Sequence, residues 1–155
     1  MSSHHLAVLA VRNAGRRTTL RDVAHPAVVD RTAGQDSRLC SVLTGDGQIV
    51  STRCLIADTP LLRMRGLLGR TELAEGEGVL IRPTNAIHMW FMRFAIDAIF
   101  LDDQCEILRI AEGLGPWRMA ACRGAKSVLE VAAGTCAEVG VTPGDRLRFD
   151  VCVPA

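Results

Sequence analysis

Three ionisable side chains, His88, Arg93 and Asp97, sit inside an otherwise apolar run from Asn85 to Asp102. Burying such groups without partners is costly, so the run marks both the core and the place to look for chemistry. His88 could serve as a general base, as a metal ligand, or as a core histidine bonded to backbone. Metal is the weakest of these, because His4, His5 and His25 all lie near the N-terminus and one histidine cannot build a zinc shell. No metal site is expected. Asp97 falls between Ile96 and Ala98, facing the same way as Ile99 and Leu101, and Glu130 falls between Leu129 and Val131. Two buried acids invite a shared pocket in which His88, Asp97 and Glu130 would do acid–base work. The competing reading for Asp97 is a structural salt bridge to Arg65, Arg93 or Arg123.

The same region supplies groups suited to binding. If Asn85 to Asp102 is one strand, His88, Trp90 and Met92 share one face, and Met89, Phe91 and Arg93 the other. Arg65 and Arg93 could clamp a carboxylate or phosphate through paired hydrogen bonds, or Arg65 could lie along the core. Trp117, on a loop after Gly113 to Pro116, could line a pocket or pack at an edge. The ligand-binding set is therefore Arg65, His88, Trp90, Arg93 and Trp117.

The chain must position these groups within 155 residues, enough for one domain with a proper core. A net charge of +1 argues against nucleic acid or an anionic membrane as partner. Of 18 basic residues only Lys126 is lysine, a bias more simply attributed to codon usage than to anion recognition. No apolar run approaches the roughly 20 residues of a membrane span. Leu6 to Val11 is too short for an export signal. The cysteines at 40, 54, 105, 122, 136 and 152 show no zinc spacing and are expected to be free thiols in a cytoplasmic protein.

Residues 1–38 lack a sustained period and read as a loosely structured extension, leaving 39–155 as one β-rich domain. Leu39 to Leu43 and Gln48 to Ile56 flank Thr44-Gly45-Asp46-Gly47, a hairpin signal. Thr59-Pro60 opens a helix with Leu61, Met64 and Leu68 on one face. Short strands follow at Val79 to Arg82, Cys105 to Ile110 and Ser127 to Val131. Thr135 to Glu138 has a capping-box pattern, and Gly140 stops that turn. Asp102 and Asp103 read as turn residues, as does Pro143-Gly144-Asp145. Leu147, Phe149, Val151 and Val153 then alternate with polar or small residues, a strand with one buried face. The fold expected is mainly β: a compact antiparallel sandwich or barrel-like domain with one or two short helices.

From Ala57 onward the motifs Arg65-Gly66-Leu67-Leu68-Gly69-Arg70, Glu75 to Leu80, Ile87 to Phe94, Pro116-Trp117-Arg118, Ser127 to Glu130 and Val141 to Asp145 occur in order. This colinear set resembles domain-of-unknown-function family 192, over roughly Leu39 to Leu147. The resemblance implies a sandwich-like or barrel-like β-domain and no established activity. The chain departs from the pattern at Ala95, where the family usually has proline and so a rigid bend.

Three functions remain open from sequence. One is a module binding a small polar or acidic molecule in an arginine- and aromatic-lined cleft. The others are a hydrolase-like enzyme using His88 with Asp97 or Glu130, and a structural or interaction domain. No nucleophile elbow, phosphate loop or cysteine–histidine signature is present, and no cofactor is expected. Oligomeric state has no signature in the chain.

Overall fold

The computed structural model describes residues 39–59, 67 and 69–151. The N-terminal extension, Arg65 and most of the helix expected after Thr59 lie outside the described residues.

The described residues form nine strands and one short helix: β1 (Leu39–Thr44), β2 (Ile49–Ala57), β3 (Glu77–Ile81), β4 (Ala86–His88), β5 (Ile96–Leu101), β6 (Ile107–Leu114), β7 (Met119–Ala121), β8 (Ser127–Ala132), α1 (Thr135–Val139) and β9 (Leu147–Val151). Seven strands make one sheet in the order β6-β5-β8-β3-β2-β1-β9, while β4 and β7 pair separately. The Thr44–Gly47 segment turns β1 into β2, with Gly47 N–H donating to Thr44 O at 3.0 Å. At the far edges the sheet curls back on itself. The start of β6 meets the start of β9, where Ile107 N–H donates to Asp145 O and Leu147 N–H to Cys105 O. The architecture is thus mainly β, a curled half-barrel with a small second sheet.

The sheet is mainly antiparallel, as expected, with one parallel pair, β2 and β3, in the register Leu55↔Val79. A parallel pair needs a long crossover, and residues 58–76 provide it. Gly76 ends that crossover at φ 76°, its carbonyl accepting Thr52 and Arg53 N–H at 2.9 and 3.0 Å; a Cβ there would meet Thr52 Oγ1 at 2.8 Å. One sequence expectation is corrected: Asn85 to Asp102 is not one strand. The chain leaves β4 after His88, turns at 89–95 and re-enters the main sheet at Ile96. The bend occurs at Phe94 without the family's proline.

β5 and β8 lie side by side in the sheet and are buried on both faces. One face gathers residues from all seven strands, including Val42, Cys54, Leu80, Ile99, Leu129 and Leu147. The other face carries Val79, Ala98, Phe100 and Val128, covered by Ile87, Ala120, Met89 and Met92 from the small sheet and its following turn. All five described cysteines are free thiols.

Asp97, 1% exposed, stands on the first face. Its Oδ1 accepts Gly113 N–H at 2.8 Å, and its Oδ2 accepts Gly134 and Cys136 N–H, each at 3.0 Å. Among the described residues its partners are these three backbone donors, and neither Arg93 nor Arg123 pairs with it. α1 has no side-chain cap of its own, since Gly134 occupies the N-cap at φ 95°; the capping box expected at Thr135 does not form. Asp97 supplies the missing acceptor from a different element. Asp97→Ala should strand these donors and lower the unfolding free energy by about 3 kcal/mol. Urea denaturation measures this, and a loss below 1 kcal/mol would show that the three bonds do not organise the fold.

Candidate functional site

The turn after β4 sorts its side chains by burial. Met89 and Met92 point into the core, whereas Trp90 is 47% and Phe91 73% exposed. Met89 N–H donates to Arg118 O at 2.8 Å, and Met89 O accepts Trp117 N–H at 2.9 Å. These bonds bring the loop before β7 alongside the turn, so that Trp117 and Met119 emerge beside them at 63% and 67% exposure.

The result is a raised aromatic platform. His88 and Trp90 stack with ring centroids 4.6 Å apart and an interplanar angle of 19°. Phe91 and Trp117 meet edge to face at 5.2 Å. Met119 lies opposite His88 in the β4–β7 register. Phe91 and Trp117 both adopt left-handed backbone angles, φ 65° and 62°. Bulky residues rarely occupy that region, and such strain concentrates where side chains are presented for function. Exposed apolar patches of this kind mark contact sites.

The two segments that carry the platform hold charge of one sign. Residues 85–95 contain Arg93 and 114–126 contain Arg118, Arg123 and Lys126; neither segment holds an aspartate or glutamate. Arg93 and Arg118 are exposed.

Of the residues singled out from sequence, the structure brings together His88, Trp90 and Trp117, with Arg93 on the same turn. It does not assemble the acid–base constellation. Asp97 pairs with Val131, and Glu130 with Ala98 and Val79, which places the two acids on opposite faces of the sheet. The shared pocket expected for them is absent, because neighbouring strand positions alternate in direction. His88 is exposed rather than buried with either acid, so of its three readings the core histidine is not met, and the strand face it was to share is also corrected. Phe91, Arg118 and Met119 were missed as members of the site; the Trp117-Arg118-Met119 triplet was the available signal. A separate depression of about 300 Å³ is lined by Thr44, Asp46, Val139, Asp145 and Arg146, none of them in the expected set. No group of three or more metal-ligating side chains occurs among the described residues. No described helix is long and apolar enough to cross a membrane.

Comparison with known proteins sets this geometry in a family. The model of domain-of-unknown-function family 192, described as "Uncharacterized ACR", matches residues 41–149. The chain belongs to that family. A relative, a "UPF0127 protein" of Thermococcus sibiricus, is 33% identical over 111 residues, covering 68% of this chain and 71% of its own. Two crystal structures share the fold. A protein of unknown function from Novosphingobium aromaticivorans has a TM-score of 0.65 at 26% identity, covering 86% of this chain and 99% of its own. A Sinorhizobium meliloti protein described as a candidate transcription regulator has a TM-score of 0.64 at 27% identity, covering 76% and 96%.

Glu130 is the buried acid without a hydrogen-bond partner among the described residues. It is 5% exposed, and burial pushes its carboxyl up to about 7 from an ordinary 4.5. The unfolded chain releases this proton near pH 4.5, while the folded chain holds it to about pH 7. Glu130 therefore costs nothing below 4.5, destabilises progressively between 4.5 and 7, and destabilises by a constant about 3 kcal/mol above that window. Glu130→Gln should flatten this decline and raise the melting temperature at pH 8 but not at pH 4. Parallel melting profiles for the two proteins across pH 4–8 would contradict the assignment.

Proposed function

We propose that this family 192 chain is a binding module, not a catalyst, and that its contact surface is the aromatic platform of His88, Trp90, Phe91, Trp117 and Met119. The observation that carries the reading is the pair of left-handed aromatic residues, Phe91 and Trp117, held edge to face in solvent. Nothing in the core requires them there. Tryptophan, methionine and arginine are the residue types that dominate protein contact surfaces.

The ligand is acidic. The platform segments carry arginine and lysine without a counter-charge, and arginine grips carboxylates through two parallel bonds. Small-molecule sites are concave, whereas these rings stand proud of the surface. An acidic segment of a partner protein with apolar side chains fits the open surface better than an enclosed small molecule.

Trp90 and Trp117 are the chain's two tryptophans, and it has no tyrosine, so intrinsic fluorescence reports the platform directly. A soluble peptide of alternating glutamate and leucine should shift that emission, with affinity falling as salt rises. By fluorescence anisotropy of the labelled peptide, Trp117→Ala should weaken binding at least about 10-fold, as for an interface anchor. Three results would overturn the reading: equal affinity for a lysine–leucine peptide, tighter binding of oligothymidylate, or wild-type affinity in Trp117→Ala. Benzoate binding as tightly as the peptide would restore the small-molecule version instead.

A further inference from the structure

The two strands of the small sheet differ in what lies along their outer edges. Asn85 O accepts Cys122 N–H at 2.9 Å, and Met89 N–H donates to Arg118 O at 2.8 Å. Both bonds continue the register that pairs Ile87 with Ala120. Hydrogen-bonded positions alternate along an antiparallel pair, so residues 85, 87 and 89 aim their backbone groups at β7. Ala86 and His88 aim theirs the other way, along the outer edge of β4.

The outer edge of β7 is engaged by the main sheet, because Arg109 on β6 donates to Ala121 O at 2.6 Å. On β4 the first position is closed locally. Thr84 Oγ1 donates to Ala86 O at 2.8 Å and accepts Ala86 N–H at 3.3 Å. His88 differs. Among the described residues nothing bonds its N–H or its carbonyl, and Ala86, His88 and Trp90 are all exposed. A strand edge with an open N–H and C=O is a template for one more strand, and folded proteins commonly cover or charge such edges. This one stays open beside the His88–Trp90 stack.

Charge decides what covers it. A second copy meeting β4 edge to edge would bring together segments that hold arginine and no carboxylate. Like charges across a strand pair oppose it. An extended segment bearing carboxylates has the complementary sign.

We propose that the acidic partner docks as an extended strand, pairing its backbone with the His88 N–H and carbonyl and laying alternate side chains beside the His88–Trp90 stack. The inference rests on the binding role proposed for the platform and adds the partner's conformation. In such strand addition the main-chain bonds set direction and register, while alternate side chains give selectivity. The ladder is short: Thr84 closes it before His88, and the left-handed Phe91 turns the chain away after Trp90. The rings must therefore supply much of the contact. A glutamate–leucine alternation suits them, since it places every leucine on one side of an extended strand.

Amide hydrogen exchange followed by NMR tests the pairing residue by residue. In the free protein the His88 amide should exchange as an unprotected amide, while those of Ile87 and Met89 are protected. Saturating glutamate–leucine peptide should slow the His88 amide at least about tenfold. A peptide of the same composition, with its leucines respaced to line one face of a helix, should bind at least about tenfold more weakly, having no open backbone to offer. Bound peptide with His88 exchanging as in the free protein, or equal affinity for the helical peptide, overturns the strand mode and leaves the binding role standing. Failure of both peptides to bind removes the binding role and the strand mode together. Sedimentation of the free protein as a dimer, with His88 protected before any peptide is added, would place a second copy on the edge and likewise overturn the proposal.

Discussion

The hydrogen bonds of Asp97 are the constraint on which the rest of the structure hangs. One carboxylate in the middle of the sheet accepts backbone N–H groups from the end of β6, from the turn after β8 and from the first turn of α1. It fixes the ends of three elements relative to β5. Because β5 is thereby held in register with β8, Ala98 falls beside Glu130 and Ile96 marks where the chain must emerge from the core. The turn at 89–95 is the consequence: it has to carry the chain from the small sheet back to that point. A charge that looked in sequence like a site residue is a structural tie.

What the turn does with its side chains follows from the same packing. Methionine fills irregular gaps, and Met89 and Met92 close the second face of the sheet. The residues between them have no core left to enter, so Trp90 and Phe91 stand in solvent. The loop before β7 adds Trp117 and Met119 to the same surface. Here the fold leaves aromatic area uncovered, supports it with a strained backbone and exposes Arg93 and Arg118 on the same two segments. Removing large rings from water contributes most when a partner covers them, since each aromatic side chain buries about 150–250 Å².

Much of this was legible in the sequence, and the failures have physical causes. The alternation of Leu147 to Phe149, the Thr44–Gly47 hairpin and the Gly144-Asp145 turn were all readable because each depends on local chemistry; Asp145 does accept Thr142 N–H at 2.7 Å. The parallel β2–β3 pair was implicit in a helix expected between two strands, but the many short strands joined by tight turns favoured an antiparallel reading. The break after His88 was hidden because Phe91 and Trp117 adopt glycine-like backbone angles without glycine. Asp97 was rightly placed on the face of Ile99 and Leu101, yet its partners were missed because backbone donors leave no mark in the sequence. Pairing it with Glu130 failed on parity, not on burial. The family resemblance held across residues 41–149.

The central claim is that this chain meets its ligand on the platform. The most direct measurement is an NMR titration of the ¹⁵N-labelled protein with an acidic, leucine-containing peptide. The two indole N–H signals of Trp90 and Trp117, together with the amides of Arg93 and Arg118, should shift first and furthest. Shifts concentrated instead around Thr44, Asp46 and Arg146, with both indoles unmoved, would contradict it.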